Sequence, residues 1–155
     1  MNFYNFSILC FGFCSLLLGL LVWLRKNDGI GWRYFVMSLT YAGWAISIAI
    51  NLNNDVSLEI GLFAGRLGNA IAVLIPATWL HFVLVFVGRG QAYRCFLKWL
   101  YALSVSLVAF SFMPWFISRV TPMVGFKYYP QAGFLFCISA ALFFCIVPMS
   151  FIELY

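Results

Sequence analysis

At 155 residues, 65% hydrophobic and only 8% charged, the chain has no route to a soluble domain. Such domains carry charge on roughly 25% of their residues, and a water-soluble core of this length cannot hide so much apolar surface. Lipid must solvate most of it, so the net charge of +5 bears on membrane orientation rather than on nucleic-acid binding.

The first apolar run covers about residues 6–24, near the ~20 residues that cross a bilayer as a helix. Met1 to Ser7 holds no Lys or Arg, and Arg25 and Lys26 follow the run instead. That order suits a retained first helix rather than a cleaved signal peptide. Gly12, Ser15 and Gly19 share one side, where small residues let helices approach closely, and Trp23 takes an interfacial place. The second run covers about 34–52, with Thr40, Gly43 and Ser47 on one face. Asn53, Asn54 and Asp55 then form a loop. Val56 to Ala64 leads into the third run, carries Glu59, and is expected to be helical already outside the hydrocarbon.

The third run, about 66–87, is closed by Gly88-Arg89-Gly90-Gln91. The fourth, about 96–113, stops at Pro114, with Lys98 placed to snorkel to the headgroups. Trp115 to Gln131 contains Pro122, Gly125 and Pro130 and reads as an extended loop or interfacial segment. The fifth run, about 132–152, carries Pro148, which kinks a membrane helix and frees a carbonyl. The sum is an all-α, polytopic bundle of about five spans, one membrane-embedded domain over 1–155. Continuous rather than alternating runs argue against a β-barrel. Arg25, Lys26 and Arg33 lie between spans one and two, and Arg89, Arg94 and Lys98 between three and four. Only Asp55 and Glu59 lie between two and three, while Arg119 and Lys127 lie between four and five. The basic excess predicts the N-terminus outside and the C-terminus inside.

Chemistry concentrates in the third run. Arg66, Asn69, Pro76 and His81 are the most polar set in any long apolar stretch, and such groups usually face protein or a cavity. At 3.6 residues per turn, Arg66, Asn69, Ala70, Val73, Ala77 and His81 share one side. Ile71, Ile75, Trp79, Phe82 and Phe86 share the other, which suits lipid. Arg66 is expected to snorkel at the outer end. His81 comes fifteen residues later, roughly 22 Å deeper, and needs a hydrogen-bond partner. Ser38, Thr40, Tyr41 and Asn51 on span two, and Ser104 and Ser106 on span four, are the candidates by residue type. Spans two to four are expected to form a small polar pocket around Asn69 and His81, either as satisfied packing or as a ligand-sensitive or proton-sensitive site. Gly12, Gly19, Gly43 and Ser47 are the expected helix-packing positions.

No metal or cofactor is implied. A lone His is a poor metal site, and Cys10, Cys14, Cys95, Cys137 and Cys145 behave as small hydrophobes without zinc spacing. No HExxH, GxSxG or phosphate-binding GxxxxGK[ST] occurs, and Asp28, Asp55, Glu59 and Glu153 stand outside or at the ends of the spans. No catalytic residue is assigned.

Gly65-Arg66-Leu67, Asn69, Leu74-Ile75-Pro76, Trp79-Leu80-His81-Phe82 and Phe86-Val87-Gly88-Arg89 together resemble the seven-span N-terminal region found ahead of bacterial histidine kinases and related signalling enzymes. Leu39-Thr40-Tyr41-Ala42-Gly43-Trp44 is similar to that family's second span, and Gly125 and Gly133 fit its fifth. The resemblance implies a sensory input module of a two-component system in the bacterial inner membrane. Its expected partners are the lipid bilayer and a histidine kinase or other signalling output protein, or further copies of itself. The chain stops at Tyr155 with no phosphoacceptor region or ATP-binding region, so the resemblance implies no kinase activity here. Two rival readings stay open: an accessory protein whose helices complete a partner's bundle, and a small transporter.

Overall fold

The computed structural model describes residues 3–53, 55–123 and 126–155. Asn54 and Gly125, both named above, lie outside the described residues. The elements in chain order are helices α1 (Phe3–Lys26), α2 (Gly29–Asn51), α3 (Leu58–Phe86) and α4 (Arg94–Phe110), strands β1 (Ile117–Met123) and β2 (Phe126–Ala132), and helix α5 (Phe136–Leu154). The architecture is an all-α bundle with one β-hairpin attached. Four helices, α1, α2, α3 and α5, are long and apolar enough to cross a membrane. Helix α4 has 17 residues, about 26 Å of rise.

Local chemistry sets the helix ends. Asn27 takes a left-handed φ of 38° and donates its N–H to the Trp23 carbonyl, which ends α1. Asp28 then caps α2 by accepting from the Gly31 N–H at 2.7 Å. This side-chain oxygen satisfies a donor that the first helical turn leaves free. The turn is only two residues long, so α1 and α2 return side by side. Ser57 caps α3, eight residues before Gly65, so the Val56–Ala64 lead-in is helical from Leu58. Gly88, at φ 77°, stops α3: its N–H reaches the Val85 carbonyl and the Arg89 N–H reaches the Leu84 carbonyl. That paired closure favours glycine because the backbone must turn left-handed.

Helix α3 is the axis of the bundle. It touches α2, α4, α5 and both strands, while α1 packs chiefly on α2. Ala77, Leu80 and Leu84 of α3 form one core with Leu97 and Leu100 of α4 and Ile146 of α5. Val73 forms a second with Leu107, Phe116 and Ile117. Small residues set the spacing on the α2 side. A β-carbon at Gly12 would stand 2.9 Å from that of Ala45, and one at Gly19 would stand 2.5 Å from that of Ser38. Gly43 faces Ile71, and Gly68 of α3 lies against the Ser47 hydroxyl, where a β-carbon would come within 2.5 Å.

The segment after α4 departs from the expected loop. Strands β1 and β2 form an antiparallel ribbon with Val120 opposite Pro130 and Thr121 opposite Tyr129. Strand pairing satisfies backbone groups that an unstructured segment at the membrane boundary would leave to chance. Both strands are edges, so Pro122 and Pro130 are tolerated there. The ribbon folds back over the start of α3. Tyr128 lays its ring on Gly61, and its hydroxyl and the Lys127 ammonium both donate to the Val56 carbonyl, at 2.9 and 3.2 Å. Residue 132 is therefore strand, and α5 starts at Phe136 rather than 132. Gly133 makes this return because a β-carbon there would strike the Trp115 carbonyl.

Exposed aromatics stand at both ends of the bundle. Trp32 and Trp99 stand at the end formed by the α1–α2 and α3–α4 turns, and Tyr4 and Trp115 at the hairpin end. Such belts are the usual anchors at membrane–water boundaries.

The α1–α2 contact gives a direct test. Gly19→Leu must push α1 off Ser38, and overpacking of this kind costs about 1–3 kcal/mol. Leu18→Ala, on an exposed face of α1, is the control. Unfolding followed by helicity during titration with a denaturing detergent should show a clear loss for Gly19→Leu and almost none for Leu18→Ala.

Candidate functional site

The polar residues of α3 divide between its two ends. The structure does not bring Asn69 and His81 into one pocket: twelve residues separate them, about 18 Å along the helix. Each belongs to a different site.

At the hairpin end, Asn69 donates from Nδ2 to the Gly65 carbonyl at 2.9 Å. A cavity of about 320 Å³ opens between α2, α3 and the hairpin, lined by Trp44, Asn51, Asn69, Tyr129, Gln131 and Phe136 among others. Asn51 is only 4% exposed, and its Oδ1 has no partner among the described residues. A buried amide oxygen without a donor costs about 1–3 kcal/mol, so it is a place where a ligand's N–H or O–H is favoured. Gln131 donates to Thr121 Oγ1 at 2.7 Å, which ties the two hairpin strands together beside the cavity. Arg66 lies eight residues inside α3, because the helix begins at Leu58 and not at Gly65. It is half-buried, and its Nε has no partner among the described residues.

Pro76 lies at the middle of α3, fully buried. Its ring removes one helical N–H. Beside it the Thr78 hydroxyl donates back toward the Leu74 and Ile75 carbonyls, each at 3.1 Å, and approaches Thr40 Oγ1 at 3.4 Å.

At the other end His81 joins three helices. Arg33 Nε of α2 donates to its Nε2 at 2.9 Å, and its Nδ1 lies 3.0 Å from the Tyr101 hydroxyl of α4. The donor roles fix the tautomer. A guanidinium can only donate, so Nε2 carries the lone pair, the imidazole is neutral, and Nδ1–H donates to the tyrosine oxygen. None of the six candidate partners is used. Ser38, Thr40 and Ser106 turn back to carbonyls of their own helices, and the buried Ser104 hydroxyl has no partner among the described residues. Arg33 was missed because it counts as a loop cation if the second span starts at residue 34. With Asp28 capping a helix at Gly29, Arg33 sits on the second turn of α2, and its other arm reaches the Gly29 carbonyl at 2.6 Å. The readable signal was the Asp28-Gly29-Ile30-Gly31 cap.

This Arg33–His81–Tyr101 link stands between two spaces. On one side is a pocket of about 190 Å³ bordered by Trp32, Val36 and Thr78. On the other is an open cleft of about 770 Å³, lined also by Gln91, Arg94 and Lys98. Nearby, Arg89 and Tyr93 of the α3–α4 turn both bind Glu153 at the end of α5, at 2.7 and 2.6 Å. The hydrogen bond to that carboxylate raises the pKa of each, the guanidinium and the phenol alike.

The bulky side of α3 is not simply a lipid face. Ile75 is buried, and Trp79 donates its indole N–H to Ser150 of α5 at 2.5 Å while packing near Phe82 and Phe151. Helix α5 covers much of this side, and Phe86 is exposed beyond it. Sequence spacing separated two sides correctly as a matter of geometry, but a helix at the centre of a bundle has protein on both.

A family described as the N-terminal 7TM region of histidine kinase matches residues 7–154, nearly the full chain. No curated protein and no solved structure matches. With its apolar helices, the match makes this a multi-pass membrane protein.

Because the chain contains one histidine, its tautomer is directly measurable. The ¹⁵N spectrum of histidine-labelled protein at neutral pH should show a single neutral species protonated at Nδ1. Arg33→Gln should release Nε2 and admit the other tautomer. A wild-type spectrum protonated at Nε2 would contradict the assigned link.

Proposed function

We propose that this chain is a signal-input module of the bacterial inner membrane, starting from its family: it belongs to the N-terminal 7TM regions of histidine kinases. The reading rests above all on the cavity against α3, whose wall includes Asn51, a buried amide with an unpartnered oxygen. A cavity with amide groups and aromatic walls fits a small neutral molecule bearing a hydrogen-bond donor. A ligand there would favour one packing of α2, α3 and the hairpin over another, and only such differential contact can shift a conformational equilibrium. Helix α3 carries the shift to the Arg33–His81–Tyr101 link, which holds α2, α3 and α4 together at the far end. The output is a signalling domain of the kind the family precedes.

Charge supports an orientation. Arg25, Lys26, Arg33, Arg89, Arg94 and Lys98 gather at one end, and Arg119 and Lys127 with Asp55 and Glu59 at the other. We place the six-cation end in the cytoplasm, so the hairpin and the amide cavity face outward. The N-terminus is then outside and the C-terminus inside.

Both parts are testable. In a full-length kinase context, Asn69→Ala and His81→Ala should each change stimulus-dependent autophosphorylation in membranes by several-fold, about 1 kcal/mol or more of coupling. Unchanged signalling in both variants removes this site from the reading. For orientation, Ala92→Cys and Ser118→Cys are placed singly in a cysteine-free chain. A membrane-impermeant maleimide should label the hairpin variant in intact cells and the Ala92→Cys variant only after permeabilisation. The reverse pattern would invert the topology.

A further inference from the structure

The cleft of about 770 Å³ at the turn end has a charge imbalance that the rest of the fold does not correct. Arg33 enters it from α2, and Arg94 and Lys98 enter from α4 one helical turn apart. Gln91 and Tyr101 add neutral hydrogen-bonding groups, and no carboxylate among the described residues lines the cleft. Of the acids at this end, Glu153 is taken by Arg89 and Tyr93, and Asp28 caps α2 at the Gly31 N–H. Arg94 and Lys98 make no side-chain hydrogen bond or ion pair among the described residues. His81 adds no charge, because its Nε2 must keep a lone pair for Arg33. The cleft therefore presents three positive groups and no negative one.

Its depth says where the balancing anion comes from. Lys98 is four residues and Tyr101 seven residues past the start of α4 at Arg94, about 6 and 10 Å along the axis. The headgroup layer on each side of a bilayer is about 5–7 Å thick. The cleft thus runs through that layer to the edge of the hydrocarbon. A soluble anion would have to leave water to reach its floor, whereas a phospholipid phosphate already lies at that level. Exposed Trp32 and Trp99 flank the same end, where indoles sit among headgroups.

We propose that this cleft is a binding site for the phosphate headgroup of an acidic phospholipid. Arg94 and Lys98 hold the phosphate from one helix and Arg33 from the facing one, while Gln91 and Tyr101 meet the ester and glycerol oxygens. The acyl chains leave toward the bilayer. Because Arg33 also holds His81, the headgroup touches the link that joins α2, α3 and α4. Binding does not require that the chain feed a kinase, so it stands or falls apart from the signalling reading.

The test uses the purified full chain in neutral detergent, titrated with a short-chain phosphatidylglycerol and followed by native mass spectrometry. Phosphatidylcholine of the same chain length and inorganic phosphate serve as comparison ligands. Phosphatidylglycerol should bind in preference to phosphatidylcholine. Arg94→Gln with Lys98→Gln should weaken it about thirtyfold, and Lys98→Gln alone about fivefold, as expected for one and two basic groups at a membrane surface. Arg25→Gln with Lys26→Gln removes the same charge from the same end outside the cleft and should leave the affinity within about twofold. Equal loss in that control pair, no loss in the cleft variants, or equal binding of phosphatidylcholine overturns the site. Inorganic phosphate that binds as tightly as phosphatidylglycerol overturns the lipid as its source. If the double variant does not fold by circular dichroism, the single Lys98→Gln titration decides in the same way.

Discussion

Inside hydrocarbon a polar group has no water to turn to, so each must find its partner within the chain. Much of this fold follows from that constraint. Ser38, Thr40, Ser47, Ser106 and Ser139 return to carbonyls of their own helices. Trp79 and Ser150 join α3 to α5, and His81 joins α3 to α2 and α4. These long-range bonds tie three neighbours to one helix. Apolar packing alone gives little preference among helix faces in lipid, because tails are as apolar as leucine. The polar bonds and the small-residue contacts therefore set the register: Gly12 and Gly19 bring α1 onto α2, and Gly68 with Ser47 brings α2 onto α3.

The same constraint explains why the fold was more legible in the sequence than the site. Apolar runs near twenty residues follow directly from bilayer thickness, so the helices and the central place of the third run could be read without coordinates. Boundaries depended on caps. Asp28 begins α2 earlier than hydropathy suggests, and that shift moves Arg33 from a loop onto a helix, while Ser57 fixes where the helical lead-in to α3 begins. The hairpin was hidden because two prolines interrupt its alternation, and proline reads as loop unless the strands are known to be edges. The partners of His81 were hidden for another reason. Serine and threonine seemed natural choices, but short hydroxyl side chains on a helix reach their own backbone first. The long side chains of Arg33 and Tyr101 are the ones that cross between helices to reach the imidazole.

Where the rule of satisfaction fails, it fails at informative places. Asn51 Oδ1 and Arg66 Nε, both without partners among the described residues, lie on the hairpin side of Pro76. Proline has already removed one helical hydrogen bond there, so this half of α3 is held less by its own backbone than the half that runs to Gly88. The lower half is fixed by a packed leucine core and a three-helix polar link.

The held end carries a further consequence through the histidine. A second proton on His81 would place an N–H against the Arg33 guanidinium, where two donors and two positive charges would meet at 2.9 Å. The link therefore exists only with neutral imidazole, and Arg33 is the sole source of charge in it. With Nε committed to His81 and one terminal nitrogen to Gly29, the guanidinium has its remaining N–H groups to present to the cleft. The histidine thus aims the arginine without cancelling its charge. A phenylalanine at that position would pack as well but leave Arg33 unaimed, and a carboxylate would neutralise it. Among these alternatives, a neutral base both holds the cation in place and keeps the cleft positive.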